Sequence, residues 1–272
     1  MSKAQKVIKY LGVAFAFFLI FNIISGIMHG ISFIGNIFTK DNNEIKEKLH
    51  SLEINEDTLL LDIDVKTTSI VIKNGDNFIA ETNSKYVNFK QDKNRLHITE
   101  RNHNWFNNYD NNEVVVYVPS EFIFDIVSIE TGAGKLNINE LSTKELYLNL
   151  GAGKVEVNDL EVLDNAKIDG GAGEVTINHS NINNLDLDMG VGKLSLNSKL
   201  TGSNKIDSGI GRVDLYLLGS VDDYKIELDK GIGSVMIDGN TAMDNTIYGT
   251  GTNRLKVSGG IGSINIKFEQ DR

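Results

Sequence analysis

One short pattern, apolar-x-x-Gly-x-Gly-x-apolar-x-apolar, occurs seven times in the second half of the chain and limits most strongly what the chain can fold into. Successive first glycines lie 19, 20, 19, 19, 22 and 29 residues apart, so the last copy contains an insertion around 248–253. A repeat this short cannot bury an apolar face alone and must stack on its neighbours. The glycine pairs are Gly132 and Gly134, Gly151 and Gly153, Gly171 and Gly173, Gly190 and Gly192, Gly209 and Gly211, Gly231 and Gly233, and Gly260 and Gly262.

Apolar residues alternate with polar ones around each glycine pair. In the first copy Ile129 precedes the glycines, and Leu136 and Ile138 follow them. This alternation predicts strands with one buried face, joined through a Gly-x-Gly bend where the backbone turns or approaches its neighbour closely. The sequence therefore predicts an all-β fold, a β-solenoid-like stack of repeats of about 19–20 residues, over residues 129–272.

Three columns of polar residues result when the copies are aligned. An amide column is expected to form a ladder at a corner of the stack. An acidic column precedes the bend and a basic column follows it, so we expect the two to compensate each other, with cation binding by the acidic column as the alternative. The columns are Asn139, Asn158, Asn178 and Asn197, then Glu130, Asp169, Asp188, Asp207 and Asp229, then Lys135, Lys154, Lys193 and Arg212.

The middle of the chain, residues 51–128, carries shorter runs of period two that also predict strands. These runs are 59–65, 69–73, 77–82, 95–99 and 114–118. The asparagine-rich segment 101–112 breaks the alternation and holds Trp105, Phe106 and Tyr109. Aromatic residues in a polar loop form a candidate ligand platform for a glycan or peptide, and capping of the core by these rings is the alternative.

Residues 7–27 are almost entirely apolar and are long enough to cross a bilayer as a helix. Lys3, Lys6 and Lys9 lie at its start, which predicts a cytoplasmic N-terminus, residues 1–6, and an extracytoplasmic remainder beginning with a linker over 28–50. A cleaved signal peptide is the alternative, but the apolar run is long and does not end in a small-x-small site. The sequence predicts a single-pass anchor in the cell membrane.

The charge of the chain restricts its partners. The formal net charge is −10, and without the four lysines of the first 40 residues it is −14 from residue 41 onward. Such an acidic surface repels phosphate backbones, so no nucleic-acid partner is expected, whereas a cationic peptide is a candidate ligand. The chain contains no Cys, which excludes disulfides, cysteine-ligated zinc and a thiol nucleophile.

Sequence patterns for catalysis or cofactors are missing. The segments 170–173 and 259–262 resemble a calcium-binding nonapeptide, but Val175 and Ile264 stand where it needs Asp. The five His residues lack metal-ligand spacing, and no dinucleotide fingerprint is present. We therefore predict no catalytic, metal or cofactor-binding residues and no enzyme activity.

The order of these features resembles a bacterial family of adhesin-like β-repeat proteins, the DUF4097-type envelope proteins. The likeness rests on the apolar helix, on VVVYVPSEF at 114–122 and on IETGAGKL with its repeats, and it covers residues from about 50 to the end. LiaG-like members of this family are encoded beside cell-envelope stress systems. The resemblance implies a β-solenoid-like fold and an envelope location, and it brings no catalytic residues.

These features together predict a non-enzymatic, membrane-anchored scaffold or binding module of the cell envelope, acting in envelope stress and contacting an envelope membrane protein. Two alternative functions belong to other classes of protein. A surface adhesin would bind a glycan or host ligand, with the Trp105 loop as its site. A β-helix enzyme acting on polysaccharide would need a groove with clustered acids and aromatic residues.

Overall fold

The computed structural model describes residues 49–101, 112–243 and 246–269, which belong to one compact unit, Lys46–Arg272. No helix in these ranges is long and apolar enough to span a membrane. The predicted anchor at 7–27 lies outside the described residues. The helical structure within them is one 3-10 turn, Val221–Asp223, and the rest is almost entirely strand.

Nine short strands come first, and longer ones follow. The short strands are β1 His50–Glu53, β2 Leu60–Val65, β3 Ser69–Asn74, β4 Ile79–Thr82, β5 Val87–Asp92, β6 Arg95–Glu100, β7 Glu113–Val118, β8 Ile123–Thr131 and β9 Lys135–Ile138. The later strands are β10 Leu141–Asn158, β11 Leu160–Asn183, β12 Leu185–Thr201, β13 Ser203–Leu218, β14 Tyr224–Ile237, β15 Asn240–Thr241, β16 Ile247–Tyr248 and β17 Asn253–Glu269. The all-β prediction is confirmed.

The repeats stack in parallel and in register, each as one rung of a solenoid-like stack. β10 pairs with β11, β11 with β12 and β12 with β13, so that each glycine pair lies beside the next. In these rungs one continuous strand runs through the Gly-x-Gly bend. Its arm before the bend lies on what we call the first face, and its arm after the bend lies on the second face. The predicted repeat stack is therefore present, with strands longer than the sequence suggested.

Two further rungs precede the glycine repeats. β2 pairs with β8 on the first face while β3 pairs with β9 on the second, and β6 and β7 extend the two faces beyond them. Residues 66–68 form the bend between β2 and β3, and residues 101–112 lie between β6 and β7 in the sequence; neither segment contains a glycine pair. The predicted boundary at residue 128 lies within β8, so the sheet continues through it.

The stack departs from chain order at its C-terminal end. β17 pairs in parallel with β13 on one side and with β14 on the other, so the last repeat of the chain lies between the fifth and sixth. The residues between β14 and β17 supply β15 and β16, which pair antiparallel with the outer edge of β14. At the opposite end, β1, β4 and β5 cap the stack in antiparallel pairs.

The core lies between the faces and is built from the predicted apolar columns. Leu148, Ile168, Leu187 and Ile206 are buried on the first face, and Val157, Ile177, Leu196 and Leu215 on the second. The amide ladder forms in part at the far corner, where the Asn178 side chain donates to Asn158 at 3.0 Å. Burial of these columns is the main stabilising contribution, because the chain has no disulfides.

Candidate functional site

The stacked bends form a seam along which all fourteen predicted glycines lie. At each of them an added Cβ would come closer than 3.0 Å to a backbone carbonyl oxygen of the neighbouring rung. At Gly173, Gly192 and Gly211 the backbone also adopts φ of 144–149°, a conformation that L side chains rarely adopt. The glycines therefore allow close stacking of the backbones along the seam.

The residue between each pair of glycines, which the sequence pattern treated as variable, forms a column of its own. We call this column the bend ridge: in spatial order it is Ala133, Ala152, Ala172, Val191, Ile210, Ile261 and Ile232. Its members are apolar yet partly or fully exposed, and they grow in size towards β14. Ile261 is 36% exposed and Ile232 is 67% exposed.

An open groove of about 720 Å³ runs across the rungs on the first face, beside the seam. The first glycines of the bends line it together with Asp169, Asp188 and Asp207 of the acidic column. These carboxylates occupy matching positions on adjacent strands, about 4.8 Å apart. The groove therefore combines bare backbone with a row of negative charge.

Lys205 lies among these carboxylates and acts to lower the pKa of Asp188 and Asp207. Its ammonium group is paired with Asp207 and lies within 4.0 Å of Asp186 and Asp188. Partial burial raises the pKa of Asp188, and the carboxylate of Asp207 acts in the same direction. Burial also acts to raise the pKa of Asp207, but hydrogen bonds from Lys205 and Ser258 outweigh it and lower that pKa.

Replacing Lys205 by Ala is expected to raise the pKa of Asp207, because the largest opposing interaction is lost. A carboxyl NMR titration of the two proteins measures this change directly. Lys167→Ala is the matched control, since Lys167 pairs with Asp169 at 3.5 Å on a more distant rung. An unchanged Asp207 titration in Lys205→Ala would contradict the pairing.

The ion pairs in the structure differ from the predicted ones, in which the acidic column and the basic column compensated each other. The acidic column pairs with lysines of its own face, as Lys167 does with Asp169. The basic column likewise pairs on the second face, where Lys193 lies 3.5 Å from Glu174. Side chains before and after the bend point away from opposite faces, so the two columns do not meet within one rung. In the ranges that the structure describes, Arg212 forms no ion pair.

A buried carboxylate that the sequence did not reveal closes the second bend of the stack. Glu100 Oε2 accepts hydrogen bonds from the backbone N–H groups of Lys66, Thr67 and Thr68 at 2.7, 3.0 and 3.2 Å. Burial raises the pKa of Glu100, but these N–H donors and the Thr67 hydroxyl outweigh burial and lower it. No local pattern predicts this contact, because 32 to 34 residues separate the partners.

The candidate ligand loop follows Glu100 directly. Trp105, Phe106 and Tyr109 lie outside the described residues, but the chain leaves β6 and enters β7 where the other rungs bend. Across the described ranges, no three His, Cys, Asp or Glu side chains are arranged to hold a metal ion.

Comparison with known proteins gives one family match. The family profile described as Toastrack DUF4097 matches residues 60–243. No curated protein matches the chain.

Three solved structures resemble it. A "putative cell adhesion protein" from Clostridium sporogenes has 16% identity and a TM-score of 0.42, over 82% of this chain and 100% of that one. A "putative adhesin" from Bacteroides fragilis has 12% identity and a TM-score of 0.37, over 81% and 97%. Another from Parabacteroides distasonis has 14% identity and a TM-score of 0.40, over 79% and 95%. At these values the likeness carries no functional argument.

Proposed function

Because the chain belongs to the Toastrack DUF4097 family, we propose that it is a non-enzymatic, membrane-anchored binding module of the cell envelope. In this proposal the helix at 7–27 holds it in the membrane, and the stack lies outside the cytoplasm. Its ligand is a basic polypeptide segment, either a cationic peptide or part of an envelope membrane protein. The resemblance to LiaG-like proteins supports a role in the envelope stress response.

The acid-lined groove is the observation that carries this proposal. It is open along its length, its glycine backbone allows a ligand to approach closely, and its carboxylates repeat at strand spacing. An extended segment lying across the rungs would meet Asp169, Asp188 and Asp207 in turn. Repeated charges favour rapid association with a basic partner and suppress acidic ones.

Crosslinking in cells tests the groove. We expect the tagged full-length protein to capture a specific partner with a basic segment, and Asp188→Asn with Asp207→Asn to reduce the recovery several-fold. The matched control is Glu156→Gln with Asp214→Asn, which removes the same charge from the second face. An equal loss of partner recovery in both double variants, or no loss in either, would contradict binding in the groove.

The anchor is testable because the chain contains no Cys. A single cysteine in place of exposed Ser234 should react with a membrane-impermeant maleimide on intact cells, whereas one in place of Ser2 should react only after lysis. The opposite pattern would reverse the proposed topology, and release of the protein into the medium would indicate a cleaved signal peptide.

Adhesion to a glycan is the second candidate function. The place of segment 101–112 in the sequence favours it, because β6 ends before this segment and β7 begins after it at the level where the neighbouring rung bends. In this version Trp105→Ala should abolish retention on the glycan while the groove variants retain it. Release of reducing ends from envelope glycans by the purified protein would instead point to a polysaccharide-active enzyme.

A further inference from the structure

The isoleucine end of the bend ridge is an exposed apolar surface that the proposed groove does not use. Val191, Ile210, Ile261 and Ile232 lie on successive rungs in one register, so their side chains form a continuous stripe. Isoleucine is usually buried, and exposed contiguous apolar side chains commonly mark a contact surface. The whole ridge, from Ala133 to Ile232, spans about 29 Å at strand spacing.

We propose that this ridge is the contact of a homodimer in which two copies meet seam to seam, with the two-fold axis parallel to the direction of stacking. In this arrangement both stacks run the same way, and each ridge residue faces its own counterpart at the same level. The first face of each copy lies beside the second face of its partner. The contact is isologous and therefore closes at two copies.

Charge complementarity supports this arrangement. At the level of Ile210, Asp207 lies beside the partner's Arg212, and at the level of Val191, Asp188 lies beside the partner's Lys193, whose ammonium group would then lie between Asp188 and the Glu174 that it already contacts. Glu130 and Lys135 are related in the same way at the Ala133 level. Each acidic residue precedes the bend of its rung and each basic residue follows it, so the pairs form only between copies. The dimer would give Arg212 the acidic partner that the described chain lacks.

One rung carries like charges, Asp169 and Glu174. Each already has a lysine on its own chain, since Lys167 lies 3.5 Å from Asp169 and Lys193 lies 3.5 Å from Glu174. This level is therefore compensated internally. The neutral serines Ser258 and Ser263 flank Ile261, so this level carries little charge to desolvate.

The alternative two-fold axis, perpendicular to the stacking direction, is unfavourable. It would place first face against first face and bring the acidic columns of both copies together. It would also point the β1 ends of the two copies in opposite directions. The parallel arrangement keeps both β1 ends on one side, which two copies anchored in one membrane require; this second argument rests on the proposed anchor, whereas the charge argument does not.

Single cysteines in the Cys-free full-length protein, purified in detergent at low concentration, test the dimer. Val191→Cys and Ile261→Cys should each form a disulfide-linked dimer under mild oxidation, with yields about ten-fold above Leu163→Cys. Leu163 is a matched apolar control because it is 41% exposed and lies away from the seam. Dimers at only one ridge position would indicate an antiparallel contact, and yields no higher than the control would overturn the proposal.

A charge exchange gives an independent test. In the Ile261→Cys background, Asp207→Arg and Arg212→Asp should each lower the dimer yield several-fold, and the double variant should restore it. Restoration requires that the two residues face each other across copies, because they lie on opposite faces of one chain. A double variant as weak as the single ones, with an unchanged melting temperature, would refute the pairing.

Discussion

Gly211→Ala is expected to lower the free energy of unfolding by about 4 kcal/mol or more, which would leave little folded protein. Two causes act together at this residue. Its φ of 149° is unfavourable for any L side chain, and its Cβ would clash with the backbone carbonyl of Gly192. Because that carbonyl belongs to a paired strand, it cannot move without disturbing the next rung. Denaturant unfolding followed by circular dichroism measures the loss.

Substitutions at two other glycines separate the cost of positive φ from the cost of the Cβ clash. Gly239 has φ of 77° but no atom within 4 Å of an added Cβ, so Gly239→Ala should cost only about 1 kcal/mol. Gly190 lacks positive φ but its Cβ would clash with Gly171, so Gly190→Ala isolates the steric cost. A Gly211→Ala protein as stable as Gly239→Ala would show that the seam tolerates side chains.

Glu100→Ala is expected to cost about 3 kcal/mol, because three backbone N–H groups at 66–68 lose their acceptor. Glu161→Ala is the control: this side chain is exposed, and its loss should change stability by less than about 0.5 kcal/mol. Glu100→Gln keeps one acceptor oxygen and should lie between the two. Denaturant midpoints at neutral pH rank the three variants, and equal midpoints would contradict the role of Glu100.

The carboxylate of Glu100 also makes the free energy of unfolding depend on pH, in a direction that follows from its lowered pKa. The pKa of Glu100 is lowered in the folded protein from the ordinary 4.5, so the folded state binds this proton less readily than the unfolded state. Its contribution is fully present above the unfolded pKa and is lost as pH falls through the folded pKa. The difference in unfolding free energy between the natural protein and Glu100→Ala should therefore shrink below about pH 4.5.

The repeat region could be predicted because its signals are local and recur. Each glycine pair fixes a bend, and the alternation around it assigns side chains to the core or to solvent. The two rungs before it were not recognised, because no glycine pair stands between their strands in the sequence and only strand pairings between distant residues reveal them. The bend ridge was missed for another reason: Ala, Val and Ile at one position looked like free variation until the strand register showed them as neighbours.

The order of the last repeats lay beyond sequence reasoning as well. Spacings of 22 and 29 residues show that an insertion exists but are equally compatible with stacking in chain order. The pairing of β17 with both β13 and β14 depends on strand contacts that no spacing encodes. Part of the candidate groove could be predicted, because the acidic column appears when the repeats are aligned. The sequence does not show that the bend places the basic column on the opposite face.

The internal position of β17 also sets an order of folding events during synthesis. The chain is made from its N-terminus, so rungs as far as β13 are able to pair as they emerge. β14 emerges before β17 and can pair with β15 and β16, but it has no neighbour within the parallel stack until residues 253–269 have arrived. Completion of the stack therefore waits for residues 253–269, and a nascent chain stalled before residue 253 exposes the edges of β13 and β14 that β17 would cover.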